Sequence, residues 1–308
     1  MASAYRSILV PLDGSPFAEQ ALTLAASIAE RTNAILQLAL VHHPVPALAL
    51  AVEAPEIGPQ LDEEAHRQER TYLDGVVGWL RAWREIPVTG VILEGPVVEA
   101  LEEHIEGTGT DLVVSTTHGR GPLGRAWLGS VADQLMRRLH TPLILVRPSE
   151  HAPAPSFASI GKILIALDGS PFAEQVLAEA TALGRAFGSS FALLFVLEPP
   201  GPLADPAGLV VLPGSPEVER LLREKAGEYL SRTAERLRSE GLEVSTHLVE
   251  GPAVVPTILA QAEELGVDLI ALASHGAGGV ERLMIGSVAD KTIRGSTRPV
   301  MVVRPAAK

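Results

Sequence analysis

The sequence predicts an α/β fold made twice: two doubly wound open sheets, each of five parallel strands, in one chain of 308 residues. Three observations carry this. Short apolar runs alternate with segments of helical periodicity, the signature of parallel strands joined by right-handed helical crossovers. The pattern then restarts half-way: LDGSPFAEQ at 12–20 recurs letter for letter at 167–175. Finally, a strand, glycine loop and helix start at 111–133, DLVVSTTHGRGPLGRAWLGSVAD, return at 268–290 as DLIALASHGAGGVERLMIGSVAD.

The repeat is in register along its length. Asp13 and Asp168 stand 155 residues apart, Gly95 and Gly251 156, and Gly129 and Gly286 157. Matches in order at nearly one offset mean one fold duplicated with small insertions. The predicted domains are 1–148 and 161–308, joined by a linker at 149–160 rich in Ala, Pro and Ser.

Within the first copy the elements follow in order. Residues 6–12 are a short apolar strand, broken by Asp13-Gly14-Ser15-Pro16. Ser15 before Pro16 reads as an N-cap with Pro at the first helical position, opening a helix over 17–31. A second strand spans 34–42, then a Pro-rich loop at 44–59 and a long polar helix over 61–84. A strand at 88–94, a helix at 97–106 and a fourth strand at 112–116 lead to the glycine loop. A helix over 130–139 and a strand at 143–146 close the copy. The second copy repeats this, with a Pro-rich loop at 199–216 and a charged helix over 218–240.

Composition narrows the function. Hydrophobic residues make up 46% of the chain, enough for a core in each half, but aromatics only 4%. With 25 Lys and Arg against 37 Asp and Glu, the formal charge is −12, which argues against tracking a nucleic-acid backbone. Both charged helices therefore read as solvated outer faces. There is no cysteine, so disulfide scaffolds, zinc fingers, iron–sulfur clusters and cysteine nucleophiles are excluded. The start, MASAYRSILVPLDG, has no long apolar core of a secretory signal, and no loop approaches a membrane span. A cytoplasmic protein without membrane contact is expected.

Two loops in each half carry the chemistry. One follows the first strand (Asp13, Asp168), the other the fourth (His118 to Ser130, His275 to Ser287). In an open α/β sheet, ligands bind beyond the carboxyl ends of the strands where strand order reverses. If strands 1 and 4 are neighbours there, both loops face one crevice. Asp then meets sugar hydroxyls or a metal, while glycine-loop amides and a helix N-terminus meet phosphate. Asp13 taken alone would be an ordinary turn residue; its pairing with the glycine loop favours ligand contact.

Other signals are weaker. Gly119-Arg120-Gly121-Pro122-Leu123-Gly124 matches GxGxxG, but it follows strand 4 and the second half reads GAGGVE, so it is no dinucleotide fingerprint. Arg125-Ala126 stands where a P-loop needs Lys-Ser/Thr, so efficient phosphoryl transfer lacks its usual parts. His118 and His275 have no nucleophile-elbow partner and read as loop-shaping residues. His42 and His43 are adjacent in a strand, point to opposite faces, and cannot share a metal; no metal cluster is predicted.

At these motifs the chain resembles the universal stress proteins, in their tandem form, over nearly its whole length. The resemblance implies an adenine-nucleotide alpha-hydrolase-like fold with strand order 3-2-1-4-5. ATP-binding members carry Gly-x-x-Gly, nine residues, then Gly-Ser or Gly-Thr. Here Gly119 with Gly129-Ser130, and Gly276 with Gly286-Ser287, keep the later part. Thr116 and Ala273 replace the first glycine, which in the family lies against the ribose, so the second half is expected to be the better site. The strand-1 aspartate falls on Asp13 and Asp168, the adenine-contacting valine on Val41 and Val196, and His118 and His275 lie within the motif. Arg125 and Arg282 hold equivalent loop positions, facing phosphate or ion-paired. The final strands, 142–146 and 299–303, are implied to pair the two domains, and a homodimer is compatible with this.

The expected function is that of a stress-response regulator binding ATP, with Mg²⁺ arriving with the nucleotide near Asp13 and Asp168. Any hydrolysis should be slow. The alternatives are a scaffold of the same fold with empty sites and, ranked last, an adenylating enzyme.

Overall fold

A computed structural model describes residues 5–43, 57–118, 128–149, 158–198, 216–274 and 285–304. The chain divides into two compact units, Met1–Ala158 and Ser159–Lys308.

The first unit comprises β1 (Ser7–Leu12), α1 (Gln20–Thr32), β2 (Ile35–His42), α2 (Ile57–Trp83), β3 (Val88–Glu94), α3 (Val97–Thr108), β4 (Leu112–Thr116), α4 (Ser130–Arg138) and β5 (Leu143–Val146). All its strand pairs are parallel, in the order β3-β2-β1-β4-β5. The second unit comprises β6 (Lys162–Leu167), α5 (Val176–Phe187), β7 (Ser190–Leu197), α6 (Pro216–Ser239), β8 (Val244–Glu250), α7 (Val254–Glu264), β9 (Leu269–Ala273), α8 (Ser287–Gly295) and β10 (Val300–Val303). Its order, β8-β7-β6-β9-β10, is the same arrangement. The predicted fold class and strand order hold in both.

Central strands are covered on both faces and read as continuous apolar runs: Ile8, Leu9 and Val10 are fully buried, as are Ile163, Leu164 and Ile165. The outer strands β3 and β8 are instead mostly exposed or half-buried, with only Val88 and Val244 buried. Helix α1 meets the sheet through Ala21, Leu22, Ala25, Ile28 and Ala29; small residues let its backbone approach closely. It ends on Asn33 in the left-handed conformation (φ 53°), whose N–H donates to Ala29 O. Gly188 (φ 69°) does the same for α5 with Gly184 O.

The acidic residue before the fourth strand has a structural task. Asp111 accepts the N–H groups of Arg6 and Ser7 (2.9 and 3.1 Å), and Asp268 those of Gly161 and Lys162 (2.8 and 3.0 Å). Each carboxylate ties the fourth strand to the first at their N-terminal ends.

The first helix starts later than its sequence suggests. Ser15 Oγ accepts the Ala18 N–H (3.2 Å) as a cap should, but the next bonds span three residues, as in Gln20 N–H to Phe17 O (3.2 Å). The α-helix proper begins at Gln20. In the second unit Ser170 Oγ accepts from Ala173 (3.1 Å), and a 3₁₀ turn, Ala173–Gln175, precedes α5. The loops at 44–56 and 199–215 and most of the linker, 150–157, lie outside the described residues.

Candidate functional site

Strand order reverses between β1 and β4, and between β6 and β9. There the ladders are short: Ile8↔Leu112 and Leu9↔Val113 in the first unit, Ile163↔Leu269 to Ile165↔Ala271 in the second. The β1–β2 ladder, by contrast, runs the full strand to Leu12↔Leu40. In an open α/β sheet this switch point, at the carboxyl edge of the first and fourth strands, is where a ligand crevice is expected. In the first unit the Phe17 and His118 rings, one from each loop, lie 6.4 Å apart.

The aspartates sit at the turn leaving the first strand. Asp13 Oδ1 accepts the Ser15 N–H and Asp168 Oδ1 the Ser170 N–H, each at 2.9 Å, an Asx turn around glycines with φ 77° and 81°. Asp168 is exposed and Asp13 half-buried. Pairing of Leu12 with Leu40 and of Leu167 with Phe195 places Val41 and Val196 beside these aspartates on the next strand.

The glycine loops are closed at their base. Gly129 N–H donates to Thr117 O (2.6 Å), and Gly286 N–H to Ser274 O (2.8 Å). A Cβ on Gly129 would stand 3.2 Å from Thr117 O and 3.3 Å from His118 Cα, both backbone, so glycine is needed here for close approach. Gly129 and Gly286 are also the N-caps of α4 and α8 and offer no side chain to the first turn. The helical bonds begin with Asp133 N–H to Gly129 O (2.9 Å) and Asp290 N–H to Gly286 O (3.1 Å). The amides of Ser130 and Ser287 and of the two residues after each precede that bond, as a helix-terminal anion site requires. Asp133 and Asp290, which would repel an anion, are ion-paired with Arg137 and Arg294 at 2.9 Å.

Thr116 is buried, and its hydroxyl donates to His118 O (3.2 Å); Ala273 is half-buried. His118 is pulled below the ordinary imidazole pKa by burial and then by the charge of Arg147. Gly119, Arg125, His275, Gly276 and Arg282 lie outside the described residues.

In each unit a tyrosine that the motif reading missed stands beside the glutamate between the aspartate turn and the first helix. Tyr72 of α2 donates to Glu19 Oε1 (2.9 Å). Its repeat, Tyr229, stacks edge-on with Phe195 at 6.1 Å, and Phe195 lies 3.5 Å from where a Gly169 Cβ would be. Burial, then the charges of Glu174 and Asp168, raise the Tyr229 pKa. The signal was available: Glu19 and Glu174 stand 155 residues apart and Tyr72 and Tyr229 157, within the spread of the repeat.

A second grouping departs from expectation. His42 is buried and His43 exposed, the opposite faces that adjacency in a strand dictates. Helix α2, however, brings other ligands to His42. Glu69 Oε2 lies 2.7 Å from its Nδ1, Asp62 Oδ1 3.2 Å from its Nε2, and the His66 ring 4.9 Å away. Burial alone would lower the His42 pKa; hydrogen bonds to Glu69 and Asp62 and their charges outweigh it, and the pKa is raised. Reading α2 as wholly solvated missed this face.

Among the described residues no helix is long and apolar enough to cross a membrane. The sequence profile of the Universal stress protein family matches residues 4–147 and again 159–304. A universal stress protein of Mycobacterium tuberculosis is 27% identical over 315 residues, covering 96% of this chain and 94% of the relative. Another, from Bacillus subtilis, is 30% identical over 146 residues, 46% of this chain and 98% of its own. Among solved structures, a universal stress protein of Archaeoglobus fulgidus shares the fold with a TM-score of 0.67 at 19% identity, over 99% of this chain and 100% of that one.

Proposed function

Because the chain belongs to the universal stress protein family, we propose that it binds an adenine nucleotide, ATP with Mg²⁺, and acts as a nucleotide-dependent regulator. One observation carries this reading most directly. In each unit the Asp turn follows the first strand and an uncapped helix N-terminus follows its neighbour, the fourth, where strand order reverses.

The residues fit the ligand's parts. Val41 and Val196, in register beside the aspartates, would meet the adenine, and Asp13 and Asp168 the ribose and Mg²⁺. Gly129-Ser130 and Gly286-Ser287 would hold the phosphates through backbone N–H groups, with the motif glycines Gly119 and Gly276 earlier in the loop sequence. Mg²⁺ would arrive on the nucleotide and neutralise phosphate charge. The chain's own residues bind and orient; hydrolysis is slow, because no P-loop lysine stands behind the glycine loop.

The second unit is the tighter site. Ala273 adds only a methyl group where the ribose comes close, while Thr116 adds a branched side chain. Equilibrium binding of labelled ATP to the full chain and its Asp168→Ala and Asp13→Ala variants tests this. Asp168→Ala should remove the tighter class of sites; undiminished affinity in both variants would sink the assignment.

A further inference from the structure

We propose that His42, His66 and Glu69 of the first unit form a binding site for a divalent transition metal of the zinc class, with Asp62 as the carboxylate that orients His42. One ligand atom from each of the three lies within 4.8 Å of the others. The site joins the last residue of β2 to one face of α2. On that face Asp62, His66 and Glu69 continue the stripe that becomes core lower down, at Leu73, Val77 and Leu80. The same packing that buries those apolar residues therefore aims the polar ones at His42.

Ligand chemistry selects the metal class. Two imidazoles and one carboxylate, with water in the fourth position, are a zinc-type donor set; hard cations prefer all-oxygen cages. Ligand atoms in a tetrahedral site lie about 3.3 Å apart, given metal–ligand lengths near 2.0–2.1 Å. His66 and Glu69 are half-buried side chains on a helix; by rotation His66 can close the remaining distance, and Glu69, already 2.7 Å from His42 Nδ1, can open to admit the ion. His42 is only 3% exposed and is the fixed point. Its Nδ1 faces Glu69 and is the ligand atom, while Nε2 meets Asp62. A carboxylate on the far nitrogen of a ligating histidine fixes its tautomer and raises its basicity.

The repeat supplies an internal control. Taking register from Tyr72 and Tyr229 on the helix, and from the Asp13–Asp168 offset on the strand, the corresponding second-unit residues are Leu197, Arg223 and Ala226. Arg223 there pairs with Glu250. One metal per chain is expected, not two.

Titration of the untagged, chelator-stripped full chain with Co²⁺ tests the site, because four-coordinate cobalt gives intense visible bands. The expected result is saturation at one Co²⁺ per chain and loss of the bands when Zn²⁺ is added. His66→Ala and Glu69→Gln, both on the half-buried helix face, should each weaken binding at least tenfold with unchanged circular dichroism. Asp62→Asn should keep the band shape and weaken binding by about tenfold, the scale for outer-shell partners. No tetrahedral bands in the parent chain, or bands that survive His66→Ala and Glu69→Gln undiminished, would show that the cluster is only an ion-paired histidine and overturn the proposal.

Discussion

The Gly129 N–H donates to the Thr117 carbonyl across 2.6 Å, closing the mouth of the glycine loop on the end of β4. The hydrogen bond draws the N-terminus of α4 up to the strand end, where a ligand beyond the sheet would meet both. A Cβ on Gly129 would press on Thr117 O and His118 Cα, so Gly129→Val must open the loop base. ATP affinity of the first site should fall at least tenfold. Stability should fall by about 1–3 kcal/mol, as for other overpacked positions. Fluorescence titration and urea unfolding of the same variant check the two effects.

Under the proposed function Asp168 has two separable tasks, shaping the turn and meeting the ligand. Asp168→Asn keeps a side-chain oxygen for the Ser170 N–H but removes the charge. Thermal unfolding should therefore change little, within about 0.5 kcal/mol, the usual scale for surface changes. ATP–Mg²⁺ affinity should fall about tenfold. Equal ATP affinity in Asp168→Asn and the parent would make the residue a turn former alone.

Under the proposed function Thr116 stands where a glycine would give the ribose room. Thr116→Gly removes the branch and its hydrogen bond to His118 O. Calorimetry should show first-unit ATP binding tightened severalfold, at a stability cost of about 1 kcal/mol for a strand-interior glycine. Weakened binding would mean that the threonine hydroxyl itself serves the ligand.

Three half-buried histidines give stability a defined pH dependence. Burial lowers the pKa of His104; at His118 Arg147 adds to it, and at His247 Lys162 adds while Glu264 opposes. The unfolded chain then binds these protons first, so stability falls as pH drops through the ordinary value of about 6.5. It levels off below the folded pKa values. His42, raised, works in the opposite sense: its contribution is present at low pH and lost as pH rises through its folded pKa. Replacing His104, which bonds Gln37 Oε1 at 2.8 Å, isolates one contribution. In His104→Gln, urea midpoints between pH 7.5 and 5.5 should fall less than in the parent.

The duplicated fold also resolves one packing question by exchange. Gly184 in α5 faces Phe191 in β7, where a Cβ would lie 2.2 Å from Cζ. In the first unit these places hold Ala29 and Leu36, both fully buried. Gly184→Ala alone should cost about 1–3 kcal/mol, and adding Phe191→Leu should recover much of it. A double-mutant cycle with no coupling would contradict this.

The fold was legible because each buried strand is an apolar run and each appears twice. The geometry of the candidate site was legible where a turn or cap needs a residue type rather than a contact, as at Asp13, Asp168, Gly129 and Gly286. The late start of α1 was not, because Ser15-Pro16 caps a 3₁₀ turn as readily as an α-helix. The His42 cluster was hidden for another reason. Its partners lie 20 to 27 residues on, in a helix whose apolar stripe begins only at Leu73, so the stripe's polar start resembles a solvated face.

Native mass spectrometry of the full chain, equilibrated with ATP and Mg²⁺ and then desalted, tests the central claim most directly. The account predicts a first adenine nucleotide bound per chain and a weaker second, with the first lost in Asp168→Ala. Spectra showing no bound nucleotide at ATP concentrations that saturate ordinary ATP-binding proteins would contradict it.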